Sequence, residues 1–193
     1  SFWSTVVTSK GNRTMTVYYV NSLLGSDNNS GASEDKPLAS IQAVNNLKLK
    51  AGDSVLFSSD STFEGQLNIK YSGKEGNPIT FGSYGEGSGP VLTGGETGIY
   101  GSKTSYITIE NLTITNTKMN AMYAGSAHDW VVNNVNVIDT GSDTRAGSIS
   151  FQSSKNMTIT NSTMTGVHNE GIWIKNVDGV TLVNNTVNSS VGR

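Results

Sequence analysis

The sequence predicts an all-β fold: a right-handed, single-stranded parallel β-helix with three short strands in each coil of about 23 residues. Four segments share one pattern, in which alternating apolar residues flank an Asn at intervals of 23, 27 and 23 residues; these are Asn111, Asn134, Asn161 and Asn184. An apolar residue lies 12 positions before each Asn, namely Ile99, Met122, Ile149 and Ile172. The alternation has the period of two that is typical of strands.

The composition agrees with many short strands and turns. The 193 residues include 22 Gly and no Cys, and only 15% are charged. A formal net charge of −2 argues against a nucleic-acid partner, and the absence of Cys excludes disulfides and thiolate chemistry. The longest apolar runs have four residues, as in Val17–Val20, so we expect no membrane span.

Residues 1–52 are predicted to form an N-terminal strand, a loop and a capping helix. The helix is expected over Pro37 to Leu47, because Ser40 is a good N-cap and Ile41, Val44 and Leu47 make one apolar stripe. One amphipathic helix before a β-solenoid is typical of a cap that covers the open edge of the first coil.

Residues 53–193 are predicted to form the coils. Asp53 to Phe57 is expected to be a strand of the first coil, and the next coil takes its strands from Leu67–Ile69, Ile79–Phe81 and Val91–Leu92. The repeated Asn is expected at a left-handed corner between the second and third strands, bonded to the Asn one coil away. The last coil would have an open edge, so we expect either a longer parent protein or another chain to cover it.

Five stretches carry a resemblance to a known superfamily; they are Tyr18–Ser22, Gly25–Gly31, Lys36–Ala43, Ala51–Phe57 and Gly76–Gly85. In these the chain resembles the amino-terminal part of the pectate-lyase-like right-handed β-helix superfamily. The resemblance implies the same fold and a substrate groove over the first strands of successive coils. Because the superfamily includes lyases, hydrolases, uronan epimerases and non-enzymatic proteins, it implies no single activity. It favours a secreted or cell-surface protein, bacterial in origin, that acts on a polysaccharide.

The outward side chains of the first strands form a predicted aromatic row. One position after each inward residue stand Tyr100, Tyr123, Ser150 and Trp173. Aromatic rings on a groove floor are good stacking surfaces for sugar rings, so the three aromatics are predicted substrate-binding residues. The alternative is an outer apolar cluster covered by loops.

A predicted basic column lies four positions before the inward residues, at Lys118, Arg145 and His168. Stacked cations indicate an anionic ligand such as a uronate, with Lys118 as a binding residue. With Glu170 and Lys175 nearby, elimination from an acidic polysaccharide is the leading reaction, and His168, Lys175 and Arg145 are candidate bases or charge-stabilising groups.

Three alternatives to elimination remain open: a glycoside hydrolase, a uronan epimerase and a non-catalytic protein. A hydrolase would need two carboxyl groups, for which Glu170, Asp139 and Asp143 are candidates. Asp139 and Asp143 are also the pair open to a calcium ion, the one cofactor considered. A non-catalytic glycan-binding or adhesin-type surface protein would use the same aromatic row, and all of these polar residues are equally consistent with a solvated face. His128 is interpreted as a surface turn residue.

Overall fold

The computed structural model describes residues 14–141, 148–168 and 170–188. These residues form one helix, α1 (Ile41–Asn46), and eighteen strands. In chain order the strands are β1 (Val17–Val20), β2 (Ser54–Ser58), β3 (Thr62–Glu64), β4 (Leu67–Ile69), β5 (Ile79–Tyr84), β6 (Val91–Thr93), β7 (Ile99–Ser102), β8 (Ser105–Glu110), β9 (Thr113–Thr115), β10 (Met122–Gly125), β11 (His128–Asn133), β12 (Asn136–Ile138), β13 (Ile149–Gln152), β14 (Lys155–Thr160), β15 (Thr163–Thr165), β16 (Ile172–Lys175), β17 (Asp178–Val183) and β18 (Thr186–Asn188).

The strands stack into three parallel sheets, one for each side of the coil. The first strands of the coils form a five-stranded sheet in the order β16-β13-β10-β7-β4. The second strands form a seven-stranded sheet from β1 to β17, and the third strands form a six-stranded sheet from β3 to β18. The predicted all-β parallel solenoid with three strands per coil is confirmed.

The predicted register of the coils is also confirmed. Met122 pairs with Ile99 on one side and with Ile149 on the other, and Ile149 pairs with Ile172. Ile99, Met122 and Ile149 are fully buried, so the column points into the core as expected. Trp130, Phe57, Phe63, Phe81 and Phe151 are the largest side chains that fill the interior.

From β7 onward, the chain turns its corners at four kinds of left-handed backbone position, which recur in register from coil to coil. The first corner follows the first strand and the second opens the second strand; the third lies between the second and third strands, and the fourth follows the third strand. In this order the members are Lys103, Ser126, Ser153 and Asn176; Tyr106, Asp129, Asn156 and Gly179; Asn111, Asn134, Asn161 and Asn184; and Asn116, Asp139 and Gly166. Left-handed backbone is uncommon outside Gly, and Asn and Asp tolerate it best, which explains most of these residue types.

The predicted Asn ladder runs along the third corner. Asn134 donates its side-chain amide to the Oδ1 of Asn111 at 2.8 Å, and Asn184 donates to Asn161 at 3.4 Å. Between them, Asn161 donates instead to the Oδ1 of Asn133 at 2.9 Å. The ladder is therefore a structural feature of the solenoid.

The helix is shorter than the sequence predicted. Ser40 is the N-cap and accepts a hydrogen bond from the backbone N–H of Ala43 at 3.1 Å. The predicted start at Pro37 is wrong because Leu38 is extended and forms a parallel bridge with Val20. Ile41 and Val44 are buried, so the apolar stripe does enter the core.

The last described coil is the most exposed part of the solenoid. Its apolar residues Leu182, Val183 and Val187 are nearly half exposed. Within the described residues, no helix is long and apolar enough to cross a membrane.

Candidate functional site

The predicted aromatic row lies on the outer face of the five-stranded sheet. Asn68 of β4 pairs with Tyr100, Tyr100 with Tyr123, Tyr123 with Ser150, and Ser150 with Trp173. These five residues occupy neighbouring strands, which are about 4.8 Å apart in a parallel sheet. The repeat therefore places three aromatic side chains in one line across the coils.

Two rings of this row form a stacked platform. The rings of Tyr100 and Tyr123 are nearly parallel, with their centroids 5.4 Å apart and an angle of 10° between their planes. Tyr100 is 40% exposed and Trp173 is 37% exposed, whereas Ser150 between Tyr123 and Trp173 is buried. A ligand on this face would meet aromatic surface at both ends of the row.

The row forms the floor of a cleft of about 430 Å³. The side chains around it are amides, one carboxylate and a few apolar groups. The described lining residues are Gln66, Glu96, Thr97, Tyr100, Met119, Asn120, Tyr123, Gln152 and Trp173. Its volume lies within the range of small-molecule sites, which is roughly 300–1,000 Å³.

Hydrogen bonds hold two of the amides in place. Gln66 accepts from the backbone N–H of Thr97 at 3.1 Å and donates to the Oδ1 of Asn68 at 2.8 Å. Gln152 donates to the hydroxyl of Ser150 at 3.2 Å. Such fixed amides next to exposed aromatic rings suit a ligand with apolar faces and many hydroxyl groups.

Five of the cations and carboxylates predicted from sequence are described residues that do not line this cleft, namely Lys118, Asp139, His168, Glu170 and Lys175. Lys175 is exposed, pairs with Gln152 in the register and lies two residues after Trp173 on β16, so it shares the outer face of the sheet. His168 and Glu170 are exposed in the segment that leads into β16. Lys118 is exposed in the segment between β9 and β10.

The predicted basic column has a different middle member. The backbone N–H of Gly141 donates to the carbonyl of Thr117 at 3.1 Å, and that of His168 donates to the carbonyl of Thr140 at 3.2 Å. These bonds repeat the parallel ladder and place Gly141 between Lys118 and His168. Arg145 lies outside the described residues. The sequence prediction placed Arg145 by its distance from Ile149, which follows the longer segment. In the structure the hydrogen-bonded register is set by β12, which precedes that segment, and it extends as far as Gly141.

Asp139 occupies a left-handed corner with a φ of 50°. It stacks between Asn116 and Gly166 in the fourth corner, which accounts for an acidic residue there without a ligand. Asp143, its predicted partner for calcium, lies outside the described residues. Among the residues that are described, no group of three or more His, Asp or Glu side chains is placed to hold a metal ion.

Sequence reasoning missed the polar half of the cleft, namely Gln66, Glu96, Asn120 and Gln152. One of these, Gln152, was within reach of the repeat pattern. Gln152 lies two positions after Ser150 on the same outward face, and one further coil upstream would have added Asn68 to the aromatic row. Glu96 and Asn120 lie in the segments between coils, where the repeat gives no register.

Comparison with known families establishes where this fold belongs. A family model described as the right handed beta helix region matches residues 38–191, most of the chain. The chain belongs to the right handed beta helix family. The resemblance noted from sequence is confirmed at this level.

Curated and solved relatives add three comparisons. A lacto-N-biosidase of Bifidobacterium longum subsp. longum is 35% identical over 133 residues, with 52% of this chain and 8% of that protein covered. The GH136 lacto-N-biosidase of Eubacterium ramulus superposes with a TM-score of 0.75 at 21% identity over 89% of this chain. A rhamnogalacturonan lyase superposes with a TM-score of 0.54 at 14% identity over 90% of this chain.

The chain spans 8% of the length of the curated relative and 41% of the Eubacterium ramulus chain. At 21% and 14% identity, the two structural comparisons show a shared fold and no more.

Proposed function

We propose that this chain is a carbohydrate-active β-helix protein that binds a glycan in the cleft over the five-stranded sheet. The observation that carries the proposal is the stacked pair of Tyr100 and Tyr123 in line with the exposed ring of Trp173. Sugar rings bind aromatic faces through their apolar C–H groups, while amides bind their hydroxyls. The amides of Gln66, Asn120 and Gln152 line the same cleft.

The lining favours a neutral glycan over a uronate. Among the described lining residues there is one carboxylate, Glu96, and no cation. An anionic sugar would meet no compensating charge on the cleft wall, whereas a neutral sugar needs only the amides and hydroxyls that are present.

Hydrolysis of a glycosidic bond is the reaction that we favour. Glycoside hydrolysis uses two carboxyl groups on either side of the scissile bond. Glu96 lines the cleft beside Tyr100, and Glu170 precedes the strand that carries Trp173, so these two are the candidate pair. The 35% identical relative is a lacto-N-biosidase, which makes a lacto-N-biose glycoside the first substrate to test.

The test uses the full chain and a lacto-N-biose glycoside with a chromogenic leaving group. We expect leaving-group release that Glu96→Gln and Glu170→Gln each reduce at least a hundredfold. Glu86→Gln is the matched control, because Glu86 is exposed in the turn between β5 and β6, away from the cleft. Binding of the glycoside without its cleavage would refute the hydrolytic activity and leave a binding protein.

Elimination from an acidic polysaccharide is the second candidate. Lys175 shares the outer face of β16 with Trp173, and His168 lies in the segment before that strand, where either is available as a base. The test is the ultraviolet absorbance of unsaturated uronates with pectate or alginate, with and without calcium. A rise in absorbance that Lys175→Ala abolishes would replace hydrolysis by elimination.

A secreted or cell-surface location remains a prediction from the sequence. So does a further chain segment or second chain over the exposed last coil.

A further inference from the structure

A second groove, of about 470 Å³, crosses the outer face of the seven-stranded sheet. It lies on a different side of the coil from the aromatic cleft. The groove is lined by residues of β8, β11, β14 and β17 and by one loop between β4 and β5. The described lining residues are Lys74, Gly76, Pro78, Tyr106, Thr108, Asp129, Val131, Asn156, Met157, Thr158, Gly179, Val180 and Thr181.

The loop that forms one wall is fixed against the sheet. Lys74 and Asn77 exchange two backbone hydrogen bonds of 3.0 and 2.8 Å, which close a tight turn. The backbone N–H of Gly73 donates to the carbonyl of Ser105 at 2.9 Å. A Cβ on Gly73 would lie 2.4 Å from the carbonyl oxygen of Tyr106, so only glycine allows the loop to approach this closely. These contacts therefore hold this wall of the groove in a fixed position.

Tyr106 lines this groove, and the requirements of folding alone do not explain a tyrosine at this position. Its φ is 54°, in a corner whose other members, Asp129, Asn156 and Gly179, are residue types that tolerate left-handed backbone. A bulky residue in left-handed backbone is an outlier that the surrounding structure must hold in place. The ring lines the groove and packs edge-on against His128, with the centroids 5.5 Å apart. Strain of this kind points to a function for the ring.

A polar network extends from the ring along the groove. The Nδ1 of His128 lies 2.7 Å from the Oδ2 of Asp129, and Asn156 donates to the Oδ1 of the same carboxylate at 3.2 Å. Asp129 is thus held between two neighbours in a fixed orientation. His128, predicted as a surface residue, is 49% exposed at the start of β11.

The floor beyond the network consists of three threonine hydroxyls and one apolar side chain. Thr108, Val131, Thr158 and Thr181 lie side by side in the register of the sheet. Lys74 and Asp129 are the one cation and the one carboxylate among the described lining residues, so the groove carries no excess charge. This chemistry suits a neutral ligand with hydroxyl groups and one flat apolar face.

We infer that this groove is a second saccharide-binding site, separate from the cleft of the proposed function. Four strands separated by about 4.8 Å make a floor about 14 Å long, which suits a short oligosaccharide. Tyr106 stacks on a sugar ring, Asn156 and Asp129 bind its hydroxyls, and the row that contains Val131 contacts the following residue.

The test is calorimetric titration of the full chain with xylohexaose, cellohexaose and a lacto-N-biose-bearing oligosaccharide. The key variant is Tyr106→Gly, which removes the ring and leaves a residue that accepts the same φ. Lys103→Gly is the matched control, since Lys103 is an exposed residue with a φ of 56° that lies in neither groove. Trp173→Ala reports on the aromatic cleft alone.

We expect at least one oligosaccharide to bind with an affinity that falls tenfold or more in Tyr106→Gly and is unchanged in Lys103→Gly and Trp173→Ala. The inference is overturned if none of the three sugars binds, or if every sugar that binds is insensitive to Tyr106→Gly in a variant with unchanged circular dichroism. Loss in Trp173→Ala alone would support only the aromatic cleft, so the two proposals fail separately.

Discussion

Gly101→Ala tests the packing that positions the aromatic cleft from below. Gly101 follows Tyr100 on β7 and points inward, where it pairs with Ile69 and Ala124. An ideal Cβ at this position would lie 2.6 Å from both Cζ2 and Cη2 of Trp130. Trp130 is fully buried, so its ring has no empty space to enter.

The expected cost follows from this distance. Carbon atoms in contact are about 3.5–4.0 Å apart, so the ring or the strand must move by about 1 Å. Overpacking of this kind costs about 1–3 kcal/mol, and the smaller backbone entropy of unfolded Ala returns about 0.4–1 kcal/mol. We therefore expect the free energy of unfolding to fall by about 1–2 kcal/mol, and glycan binding to weaken because Tyr100 moves with its strand.

The assay is urea denaturation followed by both tryptophan fluorescence and circular dichroism, which must coincide for a two-state reading. Trp130→Phe removes the two clashing atoms, so Gly101→Ala should cost at least 1 kcal/mol less in that background than in the wild type. A cost for Gly101→Ala below about 0.5 kcal/mol, or the same cost in both backgrounds, would refute the assignment of Gly101 as the space for this ring.

Three further outcomes are expected. Tyr123→Ala should weaken glycan binding in calorimetry by about fivefold, equivalent to about 1 kcal/mol, because the stacked platform is lost; wild-type affinity would contradict this. In urea denaturation Asn134→Ala should lower the free energy of unfolding by about 1–2 kcal/mol, because Ala must adopt a φ of 51° and the 2.8 Å hydrogen bond to Asn111 is lost. Asn134→Gly should lower it less, because glycine accepts this φ. Equal losses in the two variants would exclude a backbone origin. The hydroxyl of Ser40 is the largest cause that lowers the pKa of Asp27, and backbone N–H groups lower it further. The Asp27 carboxylate therefore contributes stability above the ordinary pKa of 3.8, and this contribution is lost as the pH falls through the lowered pKa. Asp27→Asn should therefore show a shallower loss of stability in denaturation series between about pH 5 and pH 2.5, and an unchanged slope would contradict the assignment.

Most of the fold could be predicted because a solenoid repeats its constraints. The inward column can be identified in the sequence from four apolar residues, Ile99, Met122, Ile149 and Ile172. Any residue at a fixed offset from them within a strand then has a predictable direction. This is why the aromatic row was found. The failures lie where the repeat changes length. The segment between β12 and β13 is four residues longer than its neighbours, and there Gly141 takes the place expected for Arg145.

The helix and the cleft walls were harder to predict for a different reason. Pro37 to Leu47 has one helical pattern, but the bridge between Leu38 and Val20 depends on a strand 18 residues away in the chain. Glu96 and Asn120 reach the cleft through segments whose path depends on contacts between coils. Local patterns carry no information about such contacts.

The repeat also explains why departures from it point to function. Inward positions must be apolar and corner positions must tolerate a left-handed backbone, so folding already accounts for residues such as Met122, Asn134 and Asp139. Folding does not account for a tyrosine at the strained corner of Tyr106, where Asp, Asn and Gly occupy the equivalent positions in the next three coils. Nor does it require an exposed ring at Trp173, where Ser150 fills the same outward position one coil earlier. Each of these two residues lines one of the two grooves, so both departures coincide with surfaces on which a glycan would bind.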